Sequence, residues 1–329
     1  MDIFFISVSN LHDKFKVEYI EGYRVYQIPY SLALNKLLLF YPLARKIIDI
    51  LNAELPNAIY QRILNSFSFH LAKFCKNKQV NHLIHVADKY SLVFEGITVS
   101  RFVRQWMFRS IKNSRSNFIT QTSEQTNLLN YLGVTTALQI YNFHPIIEFD
   151  LESSRLKKLN EFTKKIVWIG NSRPVKRLNL FIDLAKSFSR NKNLEFVIIG
   201  RVDQYIDSLN GIKNVKYLGE RDNNFVNQFL EESAYLTVNT SSSEGFSNVF
   251  IQSWLKGVPV ISLNSNPDSL FDKFELGEYC KDNLEVLYNS IETFLSNSKN
   301  YVDVSNSCFQ QSNELFTIDK SIDKIKELL

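Results

Sequence analysis

From Lys164 onward the chain alternates short apolar runs with amphipathic ones. KKIVWIG (164–170), LEFVIIG (194–200), NVKYLGE (214–220), AYLTVNT (234–240) and VPVISL (258–263) read as strands, and LNLFIDLAKSF (178–188) and FVNQFLEES (225–233) as helices between them. The strands lack a period of two, which a sheet covered on both faces requires. The pattern predicts a doubly wound parallel α/β domain. The first half is less regular but of the same kind, with strands at DIFFISVS, YRVYQIP, NAIYQRI, NHLIHVA, NFITQTS and ALQIYN separated by helical stretches. A second α/β domain is expected there, with the boundary at 155/156.

The stretch Ser241–Ile261, SSSEGFSNVFIQSWLKGVPVI, is a Ser-rich loop, a helix and a strand. Lys256, Gly257 and Pro259 stop that helix with a cation, a residue free to take positive φ and a residue unable to continue, so it spans about Ser247 to Lys256. Its amino end leaves backbone N–H groups and the positive end of the dipole facing a loop of hydroxyls, a place for phosphate. Glu244 beside it can accept hydrogen bonds from sugar hydroxyls. Phosphate plus polyol suggests a sugar nucleotide.

Glu244-Gly245-Phe246, the helix and Gly257-Val258-Pro259-Val260 resemble the signature of family 4 retaining glycosyltransferases of the GT-B fold. The resemblance covers about residues 17–329 and is strongest after Lys164. It implies an N-terminal acceptor-side Rossmann-like domain (1–155), a donor domain (156–318) facing it across a cleft, and a last helix (319–329) returning to the first domain. It also implies that Glu244 holds hydroxyls of the donor sugar, and that the position eight residues on, here Gln252, holds the ribose. Gln252 can do so without the charge assistance of a carboxylate. Gly245, Phe246, Ser247 and Asn248 complete the donor loop. Family members open with a strand, a Gly-rich loop and a helix. Here MDIFFISVSN leads straight into KVEYIEGYRVYQIPY, similar to the family's later strand-loop-strand, so the first βα unit is absent from the pattern.

A second anchor, WIGNSRPVKRLNLF, ends a strand at Gly170 and carries Arg173, Lys176 and Arg177 before a helix, an anion clamp at a strand's carboxyl end. Lys176 falls where the family has the Lys that neutralises the donor diphosphate. Asn171 takes the place of an Arg, whose charge Arg173 supplies instead, and Arg177 is expected to face solvent. Gly200 and Gly219 end strands where the family's nucleotide lies, with Glu220 beside the second; ordinary turn chemistry is the other reading of Gly219. In the first half His85 and Asp88 follow NHLI, similar to the family's His-containing segment that contacts the sugar or diphosphate, though a lone strand His is commonly structural. His82 and His85 have no third ligand for zinc. By the resemblance, leaving-group stabilisation by Arg173, Lys176 and the helix amino end drives transfer without a metal or cofactor, from a UDP- or GDP-sugar.

Composition narrows the setting. With 329 residues and 45% hydrophobic content there is room for two cores. No apolar run is long enough to cross a bilayer, and Asp2 replaces a basic leader, so a cytoplasmic protein is expected. Cys75, Cys280 and Cys308 are scattered thiols of a reducing compartment. The first 148 residues carry 16 Lys and Arg against 10 Asp and Glu, the remainder 22 against 24. Much of that excess lies in 101–115, RFVRQWMFRSIKNSR, which places Arg101, Arg104, Arg109, Lys112 and Arg115 on one helical face opposite Phe102, Val103, Trp106 and Met107. Two readings stand: a helix packed on the sheet with a solvated charged face, or contact with anionic lipid at the inner face of the plasma membrane. No nucleic-acid module accompanies the charge.

The function expected is transfer of a hexose from a nucleoside-diphosphate sugar to a glycan or lipid-linked saccharide, as in bacterial surface polysaccharide (lipopolysaccharide or capsule) synthesis by resemblance. Two alternatives stay open, a non-catalytic GT-B binding or assembly partner and a GT-B sugar-nucleotide epimerase.

Overall fold

The computed structural model describes every residue except 1, 10–13, 32–37, 39, 88–89, 95–98, 115, 146–148 and 329, and not the side chains of 99, 100, 319 and 320. Asp88 and Arg115 therefore lie outside the described residues. The chain divides into two compact units, one of Met1–Thr120, Gln125–Gln139 and Lys326–Leu329, the other of Gln121–Glu124 and Ile140–Ile325. The second takes in residues well upstream of 155/156. Tyr141 donates to Asp268 Oδ2 at 2.9 Å and Asn142 Nδ2 to Asn248 Oδ1 at 2.8 Å, which tie the connecting segment to it.

In the first unit β1 (Phe4–Ser9), β2 (Lys16–Ile20) and β3 (Tyr23–Pro29) form a sheet in the order β1-β3-β2, with β1 parallel and β2 antiparallel to β3. Glu21 (φ 52°) and Gly22 (φ 85°) make the two-residue turn of the β2–β3 hairpin, both left-handed as its twist demands. Only residues 10–15 separate β1 from β2, too few for a helical crossover, which is where the chain departs from the family pattern. There follow α1 (Tyr41–Glu54), β4 (Ala58–Arg62), α2 (Ser68–Lys78), β5 (Asn81–Val86), α3 (Val99–Lys112), β6 (Asn117–Thr120), α4 (Ser123–Tyr131) and β7 (Leu138–Gln139). Strands β4-β5-β6-β7 form a second, parallel sheet. Ile28, Leu43, Ile47, Leu71 and Phe74 make one core that takes in Phe4, Ile6 and Val8 from the first sheet and Ile59 from the second.

Helix α3 faces differently from the sequence expectation. Met107, Phe108 and Ile111 are buried, and the last two join Ile84 and Phe118 in the core over β5 and β6. Phe102 (61%) and Trp106 (58%) are exposed beside Arg109. At about 100° per residue, Met107, Phe108 and Ile111 share the inward arc and Phe102, Trp106 and Arg109 the opposite one. The Arg-against-aromatic division drawn from the sequence therefore fails.

The second unit holds α5 (Leu151–Asn160), β8 (Lys164–Ile169), α6 (Leu178–Ser187), β9 (Leu194–Ile199), β10 (Val215–Tyr217), α7 (Asn223–Glu232), β11 (Ala234–Asn239), α8 (Asn248–Leu255), β12 (Val260–Ser262), β13 (Gly277–Tyr279), α9 (Leu284–Ser296), α10 (Ser298–Leu315) and α11 (Ile318–Lys326). Its sheet is parallel throughout, in the order β10-β9-β8-β11-β12-β13. Ile166 and Trp168 of β8 pack into one core and Val167 into another, which is why the strand reads as a continuous apolar run. Strand order reverses between β8 and β11, and ligands of such sheets bind outside the carboxyl ends at that switch point.

Candidate active site

Two loops meet at the switch point, one after β8 (Gly170–Arg177) and one after β11 (Thr240–Ser247). Trp168 Nε1 donates to Thr240 Oγ1 at 3.1 Å, and Thr240 Oγ1 donates to the Lys176 carbonyl at 2.7 Å. Ser242 N donates to the Val175 carbonyl at 2.8 Å. Arg177, with φ 46°, is not the solvated residue expected. Its Nε donates to the Thr240 carbonyl at 2.7 Å, and its Nη2 pairs with Asp282 at 2.7 Å, so it fastens the two loops together.

These bonds bring Lys176 and Glu244, 68 residues apart in sequence, to 2.6 Å between Nζ and Oε1, with side chains 15% and 12% exposed. Ser241 Oγ (2.6 Å) and Asn239 Nδ2 (3.3 Å) donate to the same Oε1. Asn239 Oδ1 accepts from Ser241 N at 3.1 Å and so holds the loop that carries Glu244. All three donors converge on one oxygen; Oε2 has no partner among the described residues. The arrangement offers a cation and a carboxylate acceptor side by side. Asn239 and Thr240 were not singled out from the sequence. Their only signal was their place at the end of a strand at the switch point.

Helix amino ends sharpen this. Asp150, Asp222, Asn283 and Asn297 cap α5, α7, α9 and α10 with their side chains. Helices α6 and α8, which start from the two loops, have Arg177 and Ser247 at that position with no side-chain cap. Free N–H groups and positive dipole ends are thus left where an anion would sit. The carboxyl end of α8 closes as expected: Val258 N donates to the Ser253 carbonyl and Gly257 N to the Trp254 carbonyl, each at 2.9 Å, with Gly257 at φ 61°.

The other expected residues fall out unevenly. Arg173 is exposed and its Nε turns back to Asn171 Oδ1 at 2.9 Å. Gly170 ends β8 against β9, its N donating to the Ile199 carbonyl at 3.0 Å. Gly200 sits at φ 131°, where a Cβ would lie 1.7 Å from the Gly170 carbonyl oxygen, so only glycine lets the ends of β8 and β9 approach. Gly219 joins this edge by accepting from Gly200 N at 2.8 Å, with Glu220 exposed beyond it. Gly245 lies in the turn and exposed Asn248 opens α8. Phe246 is buried against Tyr141 and Phe316, so its ring belongs to the core. Gln252 is also buried, its Nε2 donating to Asn227 Oδ1 at 3.1 Å. A small depression lined by His144, Asn227, Gln252 and Phe309 includes neither Lys176 nor Glu244.

His85 belongs to the first unit. It is buried, its Nδ1 hydrogen-bonds Tyr60 Oη, and its Nε2 has no partner among the described residues. Burial, helped by the Arg62 charge, pushes it down to about 4, which leaves a neutral imidazole at neutral pH. His82 is likewise lowered to about 4 by burial and is held by Ser116 and Gln61, a structural histidine. All three cysteines are buried and unpaired, and burial raises Cys75 and Cys280 to about 12, which makes them poor nucleophiles. Among the described residues no helix is long and apolar enough to cross a membrane.

Residues 151–310 match the family described as Glycosyl transferases group 1. No curated protein matches the chain. Among solved structures, sucrose-phosphate synthase from Thermosynechococcus elongatus is similar with a TM-score of 0.76 at 14% identity, covering 98% of this chain and 87% of that one. Anabaena HepE in complex with UDP and glucose gives 0.67 at 18%, covering 93% and 86%. WaaG, a glycosyltransferase involved in lipopolysaccharide biosynthesis, gives 0.68 at 12%, covering 97% and 90%. With the doubly wound sheet and its switch point, these likenesses make the fold GT-B, built of two Rossmann-like units.

Proposed function

We propose that the protein is a retaining glycosyltransferase of family 4 that moves a hexose from a nucleoside-diphosphate sugar to a glycan or lipid-linked saccharide, acting in the cytoplasm in surface-polysaccharide synthesis. The observation that carries this reading is Glu244 at the switch point, with Oε1 gathered by Lys176, Ser241 and Asn239 and Oε2 left to accept sugar hydroxyls. Anabaena HepE holds UDP and glucose in the same fold, which makes UDP-glucose the first donor to try.

In this reading the donor diphosphate lies against Lys176, Arg173 and the uncapped end of α8, and no metal or cofactor is called for. The bond from the anomeric carbon to the β-phosphate oxygen breaks as the acceptor oxygen approaches on the same face. The acceptor's proton passes to the departing diphosphate. Negative charge grows on that oxygen, so a preorganised cation and helix end stabilise the transition state more than the ground state. Glu244 orients the hexose. Gln252 serves the ribose as a neutral hydrogen-bonding group, and Gly170, Gly200 and Gly219 let backbone come close to the nucleotide. His85 is the candidate in the first unit for contact with the sugar, as a neutral imidazole.

The test is UDP release from UDP-glucose, with and without added saccharide acceptors. Glu244→Ala is expected to lower turnover about 10²-fold or more, the scale of losing one preorganised group. Release unchanged in that variant contradicts the reading. Because Gln252 is already bonded to Asn227, a second reading is a protein that binds donor without turnover. UDP binding with no release from any donor would favour it.

A further inference from the structure

One residue beside the Lys176–Glu244 pair has a backbone that its side-chain type disfavours. A 3₁₀ turn, Pro174–Lys176, ends at Arg177, and α6 begins at Leu178; between them Arg177 takes φ 46° and ψ 46°. A glycine would make the same left-handed turn without strain, whereas any residue with a Cβ is disfavoured there. What the arginine adds is its guanidinium. Nε and Nη2 donate to the Thr240 and Ser241 carbonyls at 2.7 and 3.3 Å, and Nη2 pairs with Asp282 Oδ1 at 2.7 Å. Asp282 is also left-handed, at φ 60°. Its N donates to the Leu263 carbonyl at 2.6 Å, and Asn283 next to it caps α9. From the same loop Asn264 Nδ2 donates to the Ser242 carbonyl at 3.0 Å. One guanidinium thus ties the loops after β8 and β11 to those after β12 and β13. Such outliers persist where the surroundings over-determine them, and they gather at functional sites.

We infer that Arg177 and Asp282 are positioning residues of the donor site: their ion pair holds the Lys176 backbone where Nζ meets the donor diphosphate, and neither touches the donor itself. A lysine ammonium on its flexible stem is placed only as well as the backbone beneath it. On the other side of Lys176 the turn hangs from one bond, Lys176 N to the Arg173 carbonyl at 2.8 Å, and Arg173 is exposed. The firm anchor is therefore Arg177, whose planar fork fixes direction as well as distance against two carbonyls and a carboxylate. This role rests on the donor reading of Lys176.

The experiment is UDP and GDP titration of Arg177→Gly and Asp282→Asn, alongside amide hydrogen exchange of the free proteins. Glycine and asparagine both accept a left-handed backbone, so each variant removes the tie and keeps the turn. Arg177→Gly should weaken the nucleotide that the unaltered protein binds about tenfold, and Asp282→Asn should weaken it less. In a Lys176→Ala background the further loss from Arg177→Gly should stay within about twofold, because Arg177 acts through Lys176. Millimolar guanidinium ion should restore affinity to Arg177→Gly and not to Asp282→Asn. The Ser241 and Ser242 amides, which donate to Asn239 Oδ1 and the Val175 carbonyl, should exchange faster in Arg177→Gly even without nucleotide. The Asp282 side chain is 47% exposed, so its variant carries the comparison if Arg177→Gly does not fold. Binding of neither nucleotide by the unaltered protein would remove the donor reading and this role with it. Where the unaltered protein binds, the positioning role alone is overturned by unchanged affinity in both variants, by a loss of full size in the Lys176→Ala background, or by unchanged exchange at Ser241 and Ser242.

Discussion

At the scale of single residues, the centre of the account is one carboxylate oxygen and three donors. Removing Lys176 deletes both the partner of Glu244 and the cation offered to a diphosphate. Lys176→Ala should therefore weaken UDP binding about tenfold or more, as expected for a charge-assisted contact in a half-buried site. Gly200 makes a separate prediction. Gly200→Ala places a methyl 1.7 Å from the Gly170 oxygen at a left-handed φ, and should cost about 3 kcal/mol or more in denaturant unfolding. Lys176 and Glu244 were singled out in sequence because each falls at its place in the family motifs that the chain resembles. Arg177 and Phe246 were not, because their roles depend on distant chain: Asp282 for Arg177, and Tyr141 and Phe316 for the ring.

At the scale of elements, α8 shows how local signals and tertiary space agree. Gly257 is fixed twice, by the left-handed turn that closes the helix and by Leu151 and Ser305, which a Cβ would meet at 2.4 and 2.9 Å. Gly257→Ala should therefore shift Leu151 and lower the thermal midpoint by several degrees, about 1–3 kcal/mol, without changing the helix's sequence signal. The long strands β8, β9 and β11 and the helices α6, α7 and α8 could be read from their runs and stops. Strand β13 could not, because GEY has three residues and no run; its pairing with β12 defines it. Periodicity also misassigned α3. A 3.6-residue period says that a helix has two faces, but the core over β5 and β6 decides which one turns inward.

At the scale of the whole molecule, the two units should answer differently to pH. In the first, His82 and His85 are lowered from 6.5 to about 4, so between those values the unfolded state binds protons that the folded one refuses. Its stability should fall as pH drops from 6.5 to 4. In the second, Lys158 is buried at the α5–α7 joint, its Nζ donating to the Leu230 carbonyl at 2.8 Å, and burial lowers it from 10.5 to about 7. Between 7 and 10.5 the unfolded state again binds the extra proton, so the stability of this unit should rise with pH across that window. Lys158→Met should remove the rise, with calorimetric scans of both proteins at several pH values as the check. A rise of equal size in the variant would assign it elsewhere.

The central claim is that the Lys176–Glu244 pair at the β8/β11 switch point is a nucleotide-sugar site. Titration calorimetry with UDP and GDP, on the unaltered protein and on Lys176→Ala, tests it most directly. The account predicts saturable binding of one of the two nucleotides, clearly weakened by the substitution. Heat from neither nucleotide, or binding that Lys176→Ala leaves unchanged, would contradict it.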